Sequence, residues 1–271
     1  MNALLAVDIG NSTIGFGLFP EPAGDAGLFI RKIPVRPVRS PRTYRKVIAG
    51  LLKETAPNTH QRGPGPGNYT INTIISSVVP SLNRVLAESL SSLSEEKPLM
   101  VSSRLNSGLT FETERPEETG ADRIANAVAG YSYTKGPVAV ADFGTATTLT
   151  IVGKKRNFLG GAILPGIQLM RKSLRAETAK LPLIDLTRPE RALGKSTVSS
   201  IASGIVFGTA GAVEILVKSM EKELDFKLQL VLTGGNAQLV APLIKRDHKL
   251  IPDLTFEGLR LIYLRTVAGS R

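Results

Sequence analysis

The sequence predicts an α/β protein built from two related halves. Two apolar segments, Val7-Asp8-Ile9-Gly10-Asn11-Ser12 and Ala141-Asp142-Phe143-Gly144-Thr145-Ala146-Thr147-Thr148, each deliver an aspartate, then a glycine, then hydroxyl or amide side chains. They are separated by about half of the chain. Apolar runs typical of strands alternate with stretches whose apolar residues recur at helical spacing, and this alternation favours the α/β class.

Each of the two segments has the features of a phosphate-binding turn. The aspartate at the strand end can hold a cation or its water shell. The glycine lets the backbone turn closely, so that N–H groups can face an anion. A single copy would fit a plain strand-ending hairpin equally well. The pair favours a nucleotide site in a duplicated architecture, with one domain at 1–136 and the other at 137–271.

In the first half, strands alternate with helices after the first turn. The helix that starts near Tyr44 repeats apolar residues at helical spacing, and Pro80 stops the strand before the next helix. Proline and glycine at 63–67 predict an exposed loop within 56–68. The predicted elements are strands at Thr13–Phe19, Thr73–Val79 and Leu99–Val101, and helices at Tyr44–Thr55, Leu82–Leu93 and Ile124–Tyr133.

The second half repeats this plan. Its predicted elements are strands at Val138–Ala141, Leu149–Val152, Phe158–Leu164 and Leu228–Leu232, a helix from Ile167, and a long helix from Thr197 to Leu224. Both halves therefore predict the order strand, phosphate turn, strand, turn, strand. Thr233-Gly234-Gly235-Asn236 follows the last of these strands and could lie against an adenosine.

Composition narrows the class of protein. A chain of 271 residues, 42% hydrophobic, can bury a sizeable core as one large domain or two smaller ones. Cysteine is absent, which excludes disulfides, thiolate metal sites and cysteine nucleophiles. The N-terminus shows no targeting signal, and no stretch of apolar residues is long enough to predict a membrane span. We therefore expect a cytoplasmic protein without a membrane partner.

The charge is unusual. Lys and Arg number 34 against 23 Asp and Glu, a net charge of +11. The basic residues are dispersed, and the densest zone, between Arg31 and Lys46, has few aromatic residues for base stacking. A nucleic-acid partner is therefore not expected, and a basic solvated face that favours anionic ligands explains the charge better.

Asp122 and Arg123 stand at the start of a predicted helix. A purely structural interpretation is an aspartate favoured by the helix dipole, followed by a surface arginine. The functional alternative is an acid–base pair, in which Asp122 takes a hydroxyl proton and Arg123 grips a substrate carboxylate. Position alone leaves both interpretations open.

Two further glycine-containing segments are less specific. Gly160-Gly161-Ala162-Ile163-Leu164-Pro165-Gly166 fits either close backbone approach to a ligand or a packing turn. Gly194-Lys195-Ser196-Thr197 is similar to the end of a P-loop, but the upstream glycine is missing, which argues against one.

Taken together, these motifs resemble type III pantothenate kinases over almost the whole chain. The motifs in family order are Asp8-Ile9-Gly10-Asn11-Ser12, Gly120-Ala121-Asp122-Arg123, Asp142–Thr148, Gly160–Gly166 and Thr233-Gly234-Gly235-Asn236. Ser76–Pro80 and Leu254-Thr255-Phe256-Glu257-Gly258-Leu259 are also similar. The resemblance implies an actin-like, sugar-kinase-like (ribonuclease H-like) fold of two related α/β domains with a central cleft, and a homodimer.

The resemblance also implies a reaction and its residues. ATP and pantothenate would give ADP and 4′-phosphopantothenate, the first step of coenzyme A synthesis, with Asp122 as general base. Pantothenate would contact Gly120, Ala121, Asp122, Arg123 and Thr197. ATP would contact Asp8, Ile9, Gly10, Asn11, Ser12, Thr13, Ile14, Gly15 and Thr145, with Mg²⁺ near Asp8. Asp142 would hold a monovalent cation, K⁺ or NH₄⁺.

Two positions depart from the family pattern, because Thr113 and Arg115 stand where the family usually has Tyr and Asn. Two other hypotheses therefore remain beside the kinase. One is a transcriptional accessory protein with weakened catalysis, and the other is a phosphotransferase or phosphatase of the same fold with another small-molecule substrate.

Overall fold

The computed structural model describes residues 2–20, 27–54, 70–91, 93–94 and 96–268. The strands are β1 (Asn2–Ile9), β2 (Thr13–Phe19), β3 (Phe29–Pro34), β4 (Thr70–Ser77), β5 (Leu99–Met100), β6 (Thr110–Phe111), β7 (Val138–Phe143), β8 (Ala146–Val152), β9 (Asn157–Pro165), β10 (Gln229–Thr233) and β11 (His248–Leu250). The helices are α1 (Pro41–Glu54), α2 (Pro80–Leu90), α3 (Ala121–Thr134), α4 (Ile167–Ala176), α5 (Thr197–Leu224), α6 (Ala237–Val240) and α7 (Leu254–Ala268). The predicted loop at 63–67 lies outside the described residues.

The chain divides into two compact units. The first comprises residues 1–108, 115–128 and 255–271, and the second comprises 109–114 and 129–254. Helix α3 passes from the first unit into the second, and the C-terminal helix α7 belongs to the first. These units differ from the predicted domains, and the division into related halves at residue 136 stays a prediction.

The two sheets share one topology. In the first unit the strand order is β3-β2-β1-β4-β5, and in the second β9-β8-β7-β10-β11 repeats it, with β6 added beside β9. In both, the first three strands pair antiparallel and the last two are parallel additions. The predicted order of three strands is confirmed in both halves, and part of the connection between β2 and β3 lies outside the described residues.

Each unit has its own hydrophobic core. In the first, alternate residues of β1, including Val7 and Ile9, pack with α1 and α2. Tyr44 and Ile48 of α1 are fully buried in this cluster. In the second, Phe143 and Leu149 pack against α5, whose buried residues include Val206 and Val213. In both units the core therefore forms from apolar side chains that recur on one face of a strand or helix.

Three helices begin earlier than the sequence predicts. Helix α2 starts at Pro80 rather than Leu82. Helix α1 starts at Pro41 because Ser40 caps it, with its Oγ accepting from the Thr43 N–H at 3.3 Å. Helix α3 starts at Ala121 rather than Ile124, which places Asp122 and Arg123 within its first turn.

Helix α5 is long and apolar enough to cross a membrane by length and composition, contrary to the expectation that no stretch would pass that test. Half of its most apolar window is buried inside its unit, and core helices of soluble proteins satisfy the same criteria. The helix lies in the core of the second unit.

A buried carboxylate joins the end of α5 to β10. Glu221, with 7% of its surface exposed, accepts hydrogen bonds from the Leu228 N–H at 2.9 Å and Arg246 Nη2 at 2.6 Å. Lys227 Nζ lies 3.3 Å from its other oxygen. Burial alone would raise the pKa of Glu221, but these donors outweigh it and the pKa is lowered.

We expect Glu221→Gln to lower the free energy of unfolding by about 1–3 kcal/mol at pH 7, since it removes a buried, charge-assisted acceptor. A lowered pKa means that the ionised form is the stabilising one. The difference from the wild type should therefore shrink as pH falls through the acidic range. Urea unfolding at several pH values measures this, with exposed Glu223→Gln as the control. Equal losses in both variants would contradict it.

Candidate active site

The first predicted phosphate turn joins β1 to β2. The Gly10 N–H donates to the Thr13 carbonyl at 3.0 Å and closes the turn, and residues 11–13 are exposed. Asp8 is the second-to-last residue of β1 and lies opposite Gly15 of β2 and Ser76 of β4. Ser76 Oγ is buried and makes no hydrogen bond within the described part of the chain. Polar atoms therefore gather where β1 ends.

Asp122 and Arg123 lie at the same edge of this sheet. The Val78 N–H, just past β4, donates to the Ile9 carbonyl at 3.0 Å. A β-carbon added at Gly120 would lie 3.7 Å from Val78 Cγ1 and 2.6 Å from Asp122 Oδ1. The predicted base and the turn after Asp8 thus belong to one edge of the first unit.

The environment of Asp122 favours its protonated form more than water does. Burial raises the pKa of its carboxyl, and the Arg123 N–H, which donates to Oδ1 at 2.8 Å, opposes the rise together with the Arg123 charge. Burial likewise lowers the pKa of Arg123. A helix-dipole role needs no such burial, whereas a base gains from a pKa moved towards the working pH. This environment is compatible with the functional alternative, which stays a prediction.

The start of α7 packs against both β2, which follows the first turn, and α3, which carries Asp122. Gly15 and Gly17 are two apart on β2 and share a face, and Phe256 fills the space above them. A β-carbon at Gly15 would lie 2.7 Å from Phe256 Cζ. Gly258 contacts the Ala125 backbone so closely that a β-carbon there would overlap the carbonyl oxygen.

A hydrogen bond reinforces that contact between α7 and α3. Thr255 Oγ1 donates to Oδ1 of Asn126 at 2.9 Å, and Asn126 is 2% exposed. The Thr255–Gly258 segment therefore connects the strand after the phosphate turn to the helix that carries Asp122. The sequence contains this segment as a motif but nothing in its local pattern assigns it a contact.

The second predicted turn joins β7 to β8. Asp142 lies opposite Thr148 of β8 and Thr233 of β10. Its place in the second sheet corresponds to that of Asp8 in the first, since each is the second-to-last residue of the strand before the turn. Gly234, at φ +94°, passes so close to Asp142 that a β-carbon there would overlap Oδ1. Asn236 donates to the Phe143 carbonyl from both its backbone and its side chain, each at 3.1 Å.

The Gly160–Gly166 segment reaches this second turn through its last residue. A β-carbon at Gly166 would lie 2.6 Å from the Gly144 carbonyl oxygen and would overlap that of Thr145. Thr145 itself is exposed. The end of β9 therefore packs on the turn, and the carbonyl oxygens of the turn lie beside it.

The two departures from the family pattern have different surroundings. Thr113 lies in the second unit, where its Cγ2 would be 3.8 Å from a β-carbon at Gly160, and its Oγ1 is buried without a hydrogen bond in the described chain. Arg115 lies in the first unit and forms an exposed ion pair with Glu118 at 2.8 Å.

Gly194–Thr197 is a helix cap, which agrees with the absence of a P-loop. Ser196 Oγ accepts from the Ser199 N–H at 3.2 Å, and Ser199 Oγ accepts from the Ser196 N–H at 2.9 Å. This reciprocal pair starts α5. Thr197 follows it, is exposed, and lines a cavity of about 930 Å³ between α4 and α5.

The residues fit the cations that the resemblance implies. No three His, Asp or Glu side chains group together in the described ranges, so no ready-made all-protein metal cage is seen there. Magnesium in nucleotide sites commonly uses one or two carboxylates with phosphates and water, which suits Asp8 beside the orphaned Ser76 hydroxyl. Asp142, with the carbonyl oxygens of its turn, offers the oxygen donors that a monovalent cation takes.

Comparisons with known proteins agree with this geometry. The family model for type III pantothenate kinase matches residues 4–219. A type III pantothenate kinase of Moorella thermoacetica is 37% identical over 97% of this chain and 99% of its own. One from Myxococcus xanthus is 36% identical over 98% of this chain and 100% of its own.

Solved structures with low identity show the fold. Component A of (R)-2-hydroxyglutaryl-CoA dehydratase from Acidaminococcus fermentans matches with a TM-score of 0.56 and 12% identity, over 99% of this chain and 100% of its own. A ROK family protein of Streptococcus pneumoniae matches with a TM-score of 0.52 and 12% identity, over 98% and 99%. The predicted actin-like, sugar-kinase-like fold class is confirmed.

We expect Gly258→Ala to lower the free energy of unfolding by about 1–3 kcal/mol, because its methyl group forces α7 away from the Ala125 backbone. Turnover should fall as well, since Ala125 lies on α3, the helix that carries Asp122. Thermal unfolding and a steady-state assay measure both effects. Gly136→Ala, whose methyl group meets only atoms at 3.7 Å or beyond, is the matched control. Equal behaviour of the two variants would refute this contact.

Proposed function

The chain belongs to the type III pantothenate kinase family, and we propose that it transfers the γ-phosphate of ATP to the primary hydroxyl of pantothenate. The products are ADP and 4′-phosphopantothenate, in the first step of coenzyme A synthesis. The observation that carries the mechanism is a half-buried Asp122 whose pKa is raised by desolvation, next to the edge that holds the first phosphate turn. The relatives favour this kinase over the accessory-protein hypothesis.

Asp122 is the general base. As the pantothenate hydroxyl oxygen attacks the γ-phosphorus, its proton passes to the Asp122 carboxylate and the bond to the β,γ-bridging oxygen breaks. A raised pKa makes the carboxylate a better proton acceptor near neutral pH. The Arg123 N–H keeps Oδ1 occupied, which leaves Oδ2 for the hydroxyl.

Pantothenate binds at the start of α3. The Arg123 guanidinium can grip its carboxylate in bidentate fashion, and a partly desolvated arginine strengthens such a pair. Gly120, just before α3, and Ala121, its first residue, contact the substrate beside Asp122. Thr197, exposed at the start of α5, supplies a further polar contact.

ATP binds through the two phosphate turns. Residues 8–15 offer backbone N–H groups and the hydroxyls of Ser12 and Thr13, and Thr145 contacts a phosphate oxygen. Asp8 would hold Mg²⁺, which would supply positive charge to neutralise the phosphates during transfer. Asp142 would hold the monovalent cation, K⁺ or NH₄⁺. Catalysis then depends on positioning and charge neutralisation more than on covalent chemistry.

The protein acts as a cytoplasmic homodimer, with neither membrane nor nucleic acid as a partner. On α5, a β-carbon at Gly204, Gly208 or Gly211 would meet nothing within 4 Å, and Ile215 further along is 68% exposed. Leu169 of α4 is 49% exposed beside the cavity that these helices form. An exposed apolar surface with small residues is suited to close packing of a second copy.

A coupled assay of ADP release tests the reaction. We expect turnover that depends on pantothenate, and Asp122→Asn should lower it by at least about two orders of magnitude. For the wild type, kcat/KM should fall with decreasing pH around a midpoint above the ordinary aspartate pKa, because burial raises it. Release of ADP that ignores pantothenate would disprove the function.

The same variant separates catalysis from folding. A carboxyl whose pKa is raised by folding is stabilising in its protonated form, so its ionised form costs stability at pH 7. Asp122→Asn should therefore keep the wild-type Tm at pH 7 or raise it while turnover collapses. A lowered Tm with proportionate loss of activity would indicate a structural role.

The dimer is tested on α5. Gly208→Glu places a charge on this exposed surface of α5 and should shift the mass measured by light scattering from dimer to monomer, because a desolvated unpaired carboxylate opposes association. Ala49→Glu, at an exposed position of α1, should leave the dimer intact. A dimeric Gly208→Glu variant would exclude this surface of α5 as the interface.

A further inference from the structure

A run of cations flanks the first phosphate turn. From residue 27 to residue 53 the chain contains no carboxylate, and its eight basic residues are Arg31, Lys32, Arg36, Arg39, Arg42, Arg45, Lys46 and Lys53. Backbone pairing brings this run to the turn, because Thr13 pairs with Pro34 and the Val35 N–H donates to the Ser12 carbonyl at 3.0 Å. Arg36 is the next residue along the chain.

The segment beside the turn is held in place. Arg39 Nη1 donates to the Pro34 carbonyl at 2.6 Å, and the Arg39 N–H donates to the hydroxyl of the buried Tyr44 at 3.3 Å. Ser40 then caps α1. Arg36 and Arg42 remain exposed on this fixed backbone.

We propose that Arg36, Arg39 and Arg42, here called the arginine collar, attract and hold the polyphosphate tail of the nucleoside triphosphate at the first phosphate turn. The proposal rests on the ATP-dependent function and adds residues to its site. Cations beside a turn of N–H groups raise the local concentration of a polyanion and its association rate. The collar also gives part of the +11 charge a use.

The test is the salt dependence of ATP affinity in Arg36→Gln/Arg42→Gln. Arg39 is kept because its guanidinium holds the loop. The matched control is Lys53→Gln/Lys97→Gln, which removes equal charge from exposed positions of the same unit. Lys97 precedes β5, at the opposite edge of the sheet from β3. Calorimetric titration with Mg-ATP, and with adenosine as a phosphate-free probe, gives the dissociation constants.

At about 50 mM salt, where screening is weak, the collar variant should bind ATP roughly three- to tenfold more weakly than the control. The ATP affinities of the two variants should converge towards about 300 mM salt. The affinity for adenosine and the kcat at saturating ATP should not change. Equal ATP affinities in collar variant and control would overturn the collar alone. A wild type that binds no ATP would overturn the proposed function as well. Loss of duplex DNA affinity with ATP affinity intact would replace the proposal by a nucleic-acid surface.

Discussion

The first unit depends on close approaches that leave no room for a β-carbon. Phe256 occupies the space above Gly15 and Gly17, and Gly258 rests on the backbone of α3. Packing at this distance gives large dispersion contacts and leaves few alternative arrangements. One short stretch at the start of α7 therefore holds both the strand that follows the phosphate turn and the helix that bears Asp122.

The repeated sheet topology explains why similar turns occur twice. In each unit the first strand has an antiparallel neighbour on one side and a parallel one on the other, and its penultimate residue is an aspartate. The aspartate thus emerges between a hairpin turn and the carboxyl end of a parallel strand. Asp8 faces Gly15 and Ser76, whereas Asp142 faces Thr148 and Thr233. One scaffold therefore surrounds its two strand-end aspartates with different polar neighbours.

The proposed catalytic use of Asp122 opposes folding stability. The desolvation that raises its pKa costs free energy in the folded protein at neutral pH, while Arg123 limits the cost. Glu221 shows the opposite balance, because its donors outweigh burial and make its ionised form stabilising. The pKa of Asp122 is therefore raised and that of Glu221 lowered, although both lie in helices. The difference lies in the hydrogen-bond donors that surround each carboxylate.

The sequence by itself determined the α/β class, the duplicated strand and turn order, the family, and the presence of Asp122 and Arg123 at a helix start. These follow from local patterns of apolar, glycine and acidic residues, which short-range geometry translates directly. Tertiary structure alone decided that Phe256 covers Gly15 and Gly17. It also decided the partial burial of Asp122, and it placed the basic run that starts in β3 beside the phosphate turn. Residues distant in the chain come into contact through packing. The periodicity of a segment indicates which of its faces is buried, but not which other segment that face packs against.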